Sequence, residues 1–170
     1  MSKGRVFWIT GLSGSGKTTI SRLFYKRLKS EKREVVLLDG DELRVVLGIA
    51  ANYSYEERRR LAFIYCRLCK MLADQGHDVV IATISMFYEC HQWNRSNQSY
   101  YYEIYLRASM QVLKKRNQKN LFSGKNCSIV GVDISFEEPQ NPDIILDNEG
   151  DASPEEIEEH LYRYITHETR

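Results

Sequence analysis

This chain of 170 residues is short of several things. It has almost no net charge. Its 24 basic residues face 23 acidic ones for a formal charge of +1, so no global field draws a polyanion, and phosphate recognition has to be local. That argues against a nucleic-acid partner. Long apolar runs are also missing: no stretch approaches the roughly 20 residues of a membrane span, and the opening MSKGRVFWITG is too short in apolar residues for a secretory signal. A cytoplasmic enzyme with no membrane partner is the expectation. Paired cysteines are scarce as well. Cys66 and Cys69 make one C-x-x-C, but Cys90 and Cys127 form no second pair at metal-site spacing. Both members of the motif fall within the helical apolar pattern of Leu61, Ile64, Leu68 and Leu72, where free cysteine acts as a small core residue. The histidines at 77, 91, 160 and 167 are scattered and read as solvated or packed. No internal repeat or low-complexity linker divides the chain. With 42% hydrophobic and 28% charged residues, it reads as a single domain, residues 1–170, with a proper core.

What is present alternates between strand and helix, the mark of parallel βαβ units. RVFWIT at 5–10 reads as a buried strand, and Ile20, Leu23, Phe24 and Leu28 follow at helical spacing. EVVLLD, DVVIAT, YYEIYLRA and DIILDN supply four more strands. A long helix is predicted from about Ser54 to Ala73, ended by Gly76, and a closing helix is signalled by Ser153, Pro154 and Glu156 as N-cap, first helical residue and capping-box partner. The fold expected is a three-layer α/β P-loop NTPase fold, a five-stranded mainly parallel sheet flanked by helices. Residues 117–142 are irregular and rich in Asn, Ser, Gly and Lys; a loop this long inside a compact domain suggests a lid.

Residues 11–18 read GLSGSGKT, which satisfies G-x-x-x-x-G-K-[ST] between the first strand and the first helix. Gly11, Gly14 and Gly16 let backbone N–H groups turn toward phosphate oxygens, and the helix that starts near Lys17 adds its positive end. Ser13, Ser15 and Thr19 belong to the same cradle. Lys17 would reach the β- and γ-phosphates of ATP, and the Thr18 hydroxyl would complete a magnesium shell. In an open parallel sheet, ligands gather beyond the carboxyl ends of the strands, which brings Asp39, Asp41 and Ser85 to the same edge. Phosphoryl transfer needs alignment, charge stabilisation and a carboxylate to accept the hydroxyl proton. One aspartate can serve as that base while the other holds the metal; which does which stays open. Turn or helix-capping aspartates are the plainer alternative. A GTP-driven switch fits less well, because no Asn-Lys-x-Asp loop occurs.

GLSGSGKT, LLDGDELR, YSYEER, ADQG with a strand ending in ATIS, and GVDISFEEP-x-x-P together resemble the adenylylsulfate kinase family over most of residues 5–147. The resemblance implies magnesium-ATP, a small nucleotide acceptor phosphorylated on its 3′-hydroxyl, and a possible homodimer. Position by position, it implies that Arg44 and Arg58 hold the acceptor's anionic end, suited to bidentate guanidinium recognition. It implies further that Tyr53 stacks on the acceptor base, that Ile84, Ser85 and Asp41 border the acceptor, and that Arg116 lies near the ATP adenine. The departures cluster around the acceptor. Leu61 stands where the family has asparagine, Phe63 and Ile64 replace basic residues, Ile129 replaces the second stacking aromatic, and Met86 replaces proline. The shortened lid leaves Lys119 and Lys125 as loose counterparts of its lysine. Such a pocket points to a base other than adenine. A divergent branch with this pattern, the cytidine diphosphoramidate kinases of capsular polysaccharide biosynthesis, supplies the favoured acceptor. An eroded adenylylsulfate kinase, a kinase of an unrelated small alcohol and a non-catalytic nucleotide binder are the alternatives.

Overall fold

The computed structural model describes residues 2–31, 33–49, 54–116, 130 and 135–168. Strand β1 (Val6–Thr10) is the middle of a five-stranded sheet ordered β2-β3-β1-β4-β5, with β2 at Val35–Asp39, β3 at Asp78–Thr83, β4 at Tyr101–Arg107 and β5 at Ile144–Asp147. Every pairing is parallel, so the expected mainly parallel sheet is wholly so. Thr10 pairs with Thr83 and Tyr105, and Asp39 with Ala82. The carboxyl ends of four strands therefore arrive together at one edge.

Six helices cover the sheet: α1 (Lys17–Ser30), α2 (Gly40–Val46), α3 (Tyr55–Asp74), α4 (Tyr88–Asn97), α5 (Met110–Arg116) and α6 (Pro154–Glu168). Alternation along β1 sorts them into two layers. Phe7 and Ile9 pack with Ile20, Phe24 and Leu28 of α1 and with Ile157, Leu161 and Ile165 of α6. Val6 and Trp8 face the other way, onto Leu61, Ala62, Tyr65, Cys66 and Cys69 of α3 and Cys90 of α4. Each fully buried side chain of this size contributes roughly 1.5–3 kcal/mol, so β1 is held from both faces. The C-x-x-C is core, as expected. The bond to Cys90 together with burial pushes the Cys66 thiol far up, and burial does the same to Cys69, so neither is a reactive thiolate. Among the described residues no group of three or more His, Cys, Asp or Glu side chains could hold a metal. None of the described helices is long and apolar enough to cross a membrane.

Start signals match the caps. Ser153 and Glu156 form the expected box, with Ser153 N–H donating to Glu156 Oε2 at 2.7 Å and Glu156 N–H to Ser153 Oγ at 3.2 Å. Ser54 and Glu57 make a second box at the start of α3. Helices α2, α4 and α5 were missing from the sequence reading. They have seven, ten and seven residues, and α2 and α5 are too short for hydrophobic periodicity to declare itself. Of the supposed lid at 117–142, only Val130 and residues 135–142 are described.

Candidate active site

The site is built where β1, β2 and β3 end. Gly16 caps α1 in the left-handed region (φ 100°) without a side-chain hydrogen bond, so the first N–H groups of the helix are left for a ligand. Helices α2, α3, α4 and α6 each carry an acid in their first turn, whereas α1, like the short α5, carries none. An anion at that end meets the dipole and Lys17 together. The glycines are sterically required: a Cβ on Gly11 (φ 150°) would lie 2.3 Å from the Leu106 carbonyl, and one on Gly16 2.8 Å from Asn148 Nδ2. Lys17 Nζ donates to the Leu12 carbonyl at 2.7 Å, which folds the lysine back over the loop.

A cavity of about 100 Å³ opens beside this loop, lined by Ser13, Gly14, Gly16, Lys17, Thr18 and Thr19 on one wall and by Asp39, Gly40, Asp41, Arg44, Ala82, Thr83 and Ile84 on the other. Asp39 is the N-cap of α2, its Oδ1 accepting the Asp41 N–H at 2.8 Å, while its Oδ2 accepts the Thr18 hydroxyl at 2.8 Å. The plain capping role and the site role thus fall on the same carboxylate. Asp41 pairs with Arg44 one turn along α2. The Thr18 hydroxyl and the Asp39 carboxylate, converging beside the glycine-rich loop, are hard oxygen donors of the kind that would suit magnesium.

A second cavity, about 50 Å³, adjoins the first and shares Arg44, Thr83 and Ile84 with it. Arg58 and Ser85 line it with Tyr55, Leu61, Tyr65, Met86, Phe87 and Phe136. Its lining has two guanidinium groups, Arg44 and Arg58, among mostly apolar side chains. The departures noted in the sequence are packed here. Leu61 is buried in the wall, offering no amide, and Phe63 and Ile64 join the core rather than the pocket. Tyr65 donates its hydroxyl to the Gly40 carbonyl at 3.0 Å, tying α3 to the start of α2.

Gly11 and Ser15 do not line either cavity, but they shape the loop; Ser15 is fully buried and its carbonyl accepts Asn148 Nδ2 at 2.9 Å. Arg116 also stands outside both cavities. It donates to the Asn148 side-chain and backbone oxygens at 2.9 and 3.0 Å, and so reaches the phosphate loop through Asn148. Tyr53, Lys119, Lys125 and Ile129 lie outside the described residues. Sequence reasoning missed Thr83, Tyr55, Asn148 and Glu137. Thr83 and Asn148 follow from the strand-end rule that selected Asp39. Glu137 carried no local signal: its N–H donates to the Met86 carbonyl at 3.3 Å and its carboxylate caps Tyr88, across about fifty residues of chain.

A glycine-rich loop feeding a helix, a lysine on it, and a hydroxyl–carboxylate pair at the end of a neighbouring parallel strand define a P-loop kinase. The sequence profile of the adenylylsulphate kinase family matches residues 3–147, and the chain belongs to that family. It is a nucleotide kinase by that membership. A relative named cytidine diphosphoramidate kinase, from Campylobacter jejuni, is 42% identical over 149 residues, which cover 84% of this chain and 85% of that protein. An adenylyl-sulfate kinase from Bacillus licheniformis is 30% identical over 174 residues, 99% of this chain and 88% of its own. The fold matches the APS kinase of Mycobacterium tuberculosis solved in complex with AMPPNP and APS, with a TM-score of 0.88 at 27% identity over 98% of this chain and 99% of that one.

Proposed function

We propose that this kinase transfers the γ-phosphoryl group of magnesium-ATP to the 3′-hydroxyl of a cytidine nucleotide, cytidine diphosphoramidate. The observation that carries the reading is the second cavity, where Arg44 and Arg58 offer guanidinium groups to an anionic tail while Leu61, one turn after Arg58 on α3, offers no amide. The 42% identity to a cytidine diphosphoramidate kinase supports it. Adenylylsulfate is the second reading, supported by the family match and by the APS-bound structural neighbour.

In this reading the loop amides of residues 13–16, the α1 terminus and Lys17 hold the ATP phosphates, with Arg116 and Asn148 bracing the loop from behind. Thr18 and Asp39 would hold magnesium, which when bound neutralises charge on the transferring phosphate. Asp41, nearer the shared wall, accepts the proton of the acceptor hydroxyl as its oxygen attacks phosphorus and ADP departs. Arg44 carries five N–H donors, enough to keep Asp41 oriented and still bind an acceptor oxygen. We further propose one kinase domain that acts in the cytoplasm as a homodimer, on ATP and a small nucleotide alone; sedimentation of the purified protein tests the dimer.

Incubating the enzyme with ATP and each acceptor, followed by phosphorus NMR, separates the readings. The cytidine compound is expected to gain a 3′-phosphate. Robust turnover of adenylylsulfate with none of the cytidine compound overturns the proposal.

A further inference from the structure

Residues 83–86 lead from β3 toward α4 and line the second cavity, Thr83 and Ile84 lining the first as well, and their backbone is held by side chains from other elements. Thr10 Oγ1 donates to the Ile84 carbonyl at 2.5 Å. His91 Nε2 lies 3.2 Å from the Ser85 carbonyl. Ser85 has φ 20°, the one positive φ among the described non-glycine residues, and such a conformation persists only where its surroundings hold it. Its hydroxyl sits 2.8 Å from that of Thr83, at the seam of the two cavities.

What holds His91 is unusual for a solvated or merely packed ring. It is 5% exposed, and its Nδ1 is 3.0 Å from Oε1 of Glu103, itself 1% exposed, though the two are poorly aligned for a hydrogen bond. Arg95 reaches the other Glu103 oxygen at 3.5 Å and is fixed by Asp143 and the Asn141 carbonyl. Arg95 and Asp143 stay partly exposed, but the Glu103 carboxylate is held out of water, which costs more than an apolar residue there and makes core filling a poor account of it.

We propose that His91 is a positioning residue for the acceptor: backed by Glu103 and Arg95, it holds the Ser85 carbonyl, and through it the wall and hydroxyl that face the acceptor beside Arg44 and Arg58. The inference rests on the reading of the second cavity as the acceptor site. It assigns His91 no contact with substrate.

The test compares His91→Leu with His91→Gln, which restores an N–H near the Nε2 position without the ring, in steady-state kinetics with ATP and cytidine diphosphoramidate or adenylylsulfate. His91→Leu is expected to raise the acceptor KM about tenfold, the size of one lost hydrogen bond, and to leave the ATP KM unchanged. His91→Gln recovers most of that. Equal loss of thermal stability in both variants with both KM values unchanged overturns the proposal. In the wild-type enzyme, labelled with 15N-histidine, the His91 Nε2 resonance shifts with the acceptor and stays put with AMPPNP; no shift with the acceptor overturns the proposal even when His91→Leu does not fold. Arg58→Ala separates the two levels. If it raises the acceptor KM and a folded His91→Leu does not, only the positioning role fails; if Arg58→Ala has no effect, the assignment of the cavity fails and takes the proposal with it.

Discussion

Asp39 serves two purposes through two oxygens, so two substitutions can separate them. Its Oδ1 caps α2 by accepting the Asp41 N–H, and its Oδ2 accepts the Thr18 hydroxyl at the proposed metal position. Asparagine keeps an oxygen for the cap, and asparagine and aspartate are about equal as N-caps; what is lost is the interaction of the charge with the helix dipole, roughly 0.3–1 kcal/mol. Alanine loses the cap as well, for about 1 kcal/mol more. In a domain of this size each kcal/mol lowers Tm by about 2–4 °C, so Asp39→Asn should melt within a few degrees of the wild type and Asp39→Ala clearly below it. Turnover should not follow that order. Both variants lose the carboxylate charge at the transferring phosphate, and by the scale of other electrostatic contacts to a transition state kcat falls on the order of a hundredfold or more in each. Thermal unfolding by circular dichroism and an ADP-release assay read the two quantities. If Asp39→Asn turns over like the wild type, the carboxylate is only a cap; if it melts as low as Asp39→Ala, the oxygen assignment is wrong.

Three further outcomes are expected. Lys17→Ala should abolish ATP binding in a calorimetric titration, whereas Asp41→Asn should leave ATP affinity intact and remove transfer; undiminished transfer in both aspartate variants, Asp39→Asn and Asp41→Asn, would refute their assigned roles. Gly11→Ala places a Cβ 2.3 Å from the Leu106 carbonyl at φ 150°, so the loop must shift and nucleotide binding should weaken more than unfolding free energy falls, measured side by side. Glu57 and Glu156 are each held below the usual glutamate range, first by the backbone N–H and then by the hydroxyl of Ser54 and Ser153. A carboxyl whose folded-state pKa is depressed stabilises the fold above its unfolded value, and that contribution is lost as pH falls through the depressed value. Tm should therefore drop on acidification below about pH 5, and Ser54→Ala with Ser153→Ala should flatten the drop; an unchanged acid profile would count against both boxes.

Local chemistry made much of this molecule readable. GLSGSGKT needs no partner to declare itself, because the glycines, the lysine and the helix start that make a phosphate cradle are contiguous. The five strands showed as short apolar runs ended by polar or turn residues, and the Ser153–Glu156 capping box lies within four residues of chain; the Ser54–Glu57 box, equally local, came only with the structure. The helices that escaped notice are the short α2 and α5 and the polar α4, in which few residues are buried.

The site divides along the same line. Asp39 and Asp41 could be picked out as strand-end carboxylates, but the roles proposed for them could not be told apart: Asp39 meets Thr18, 21 residues away, only on folding, whereas Asp41 pairs with Arg44 on its own helix. Arg116 was expected near the nucleotide, yet its partner is Asn148, 32 residues on. His91 read as an ordinary histidine until Ser85 and Glu103 were placed on either side of it. Sequence alone determined the class of chemistry, because a phosphate is recognised by backbone amides and one cation held in a contiguous turn. Tertiary structure decided which residues share the second cavity, because it is made by packing α2, α3 and the start of α4 against strand ends that are adjacent only once the sheet has formed.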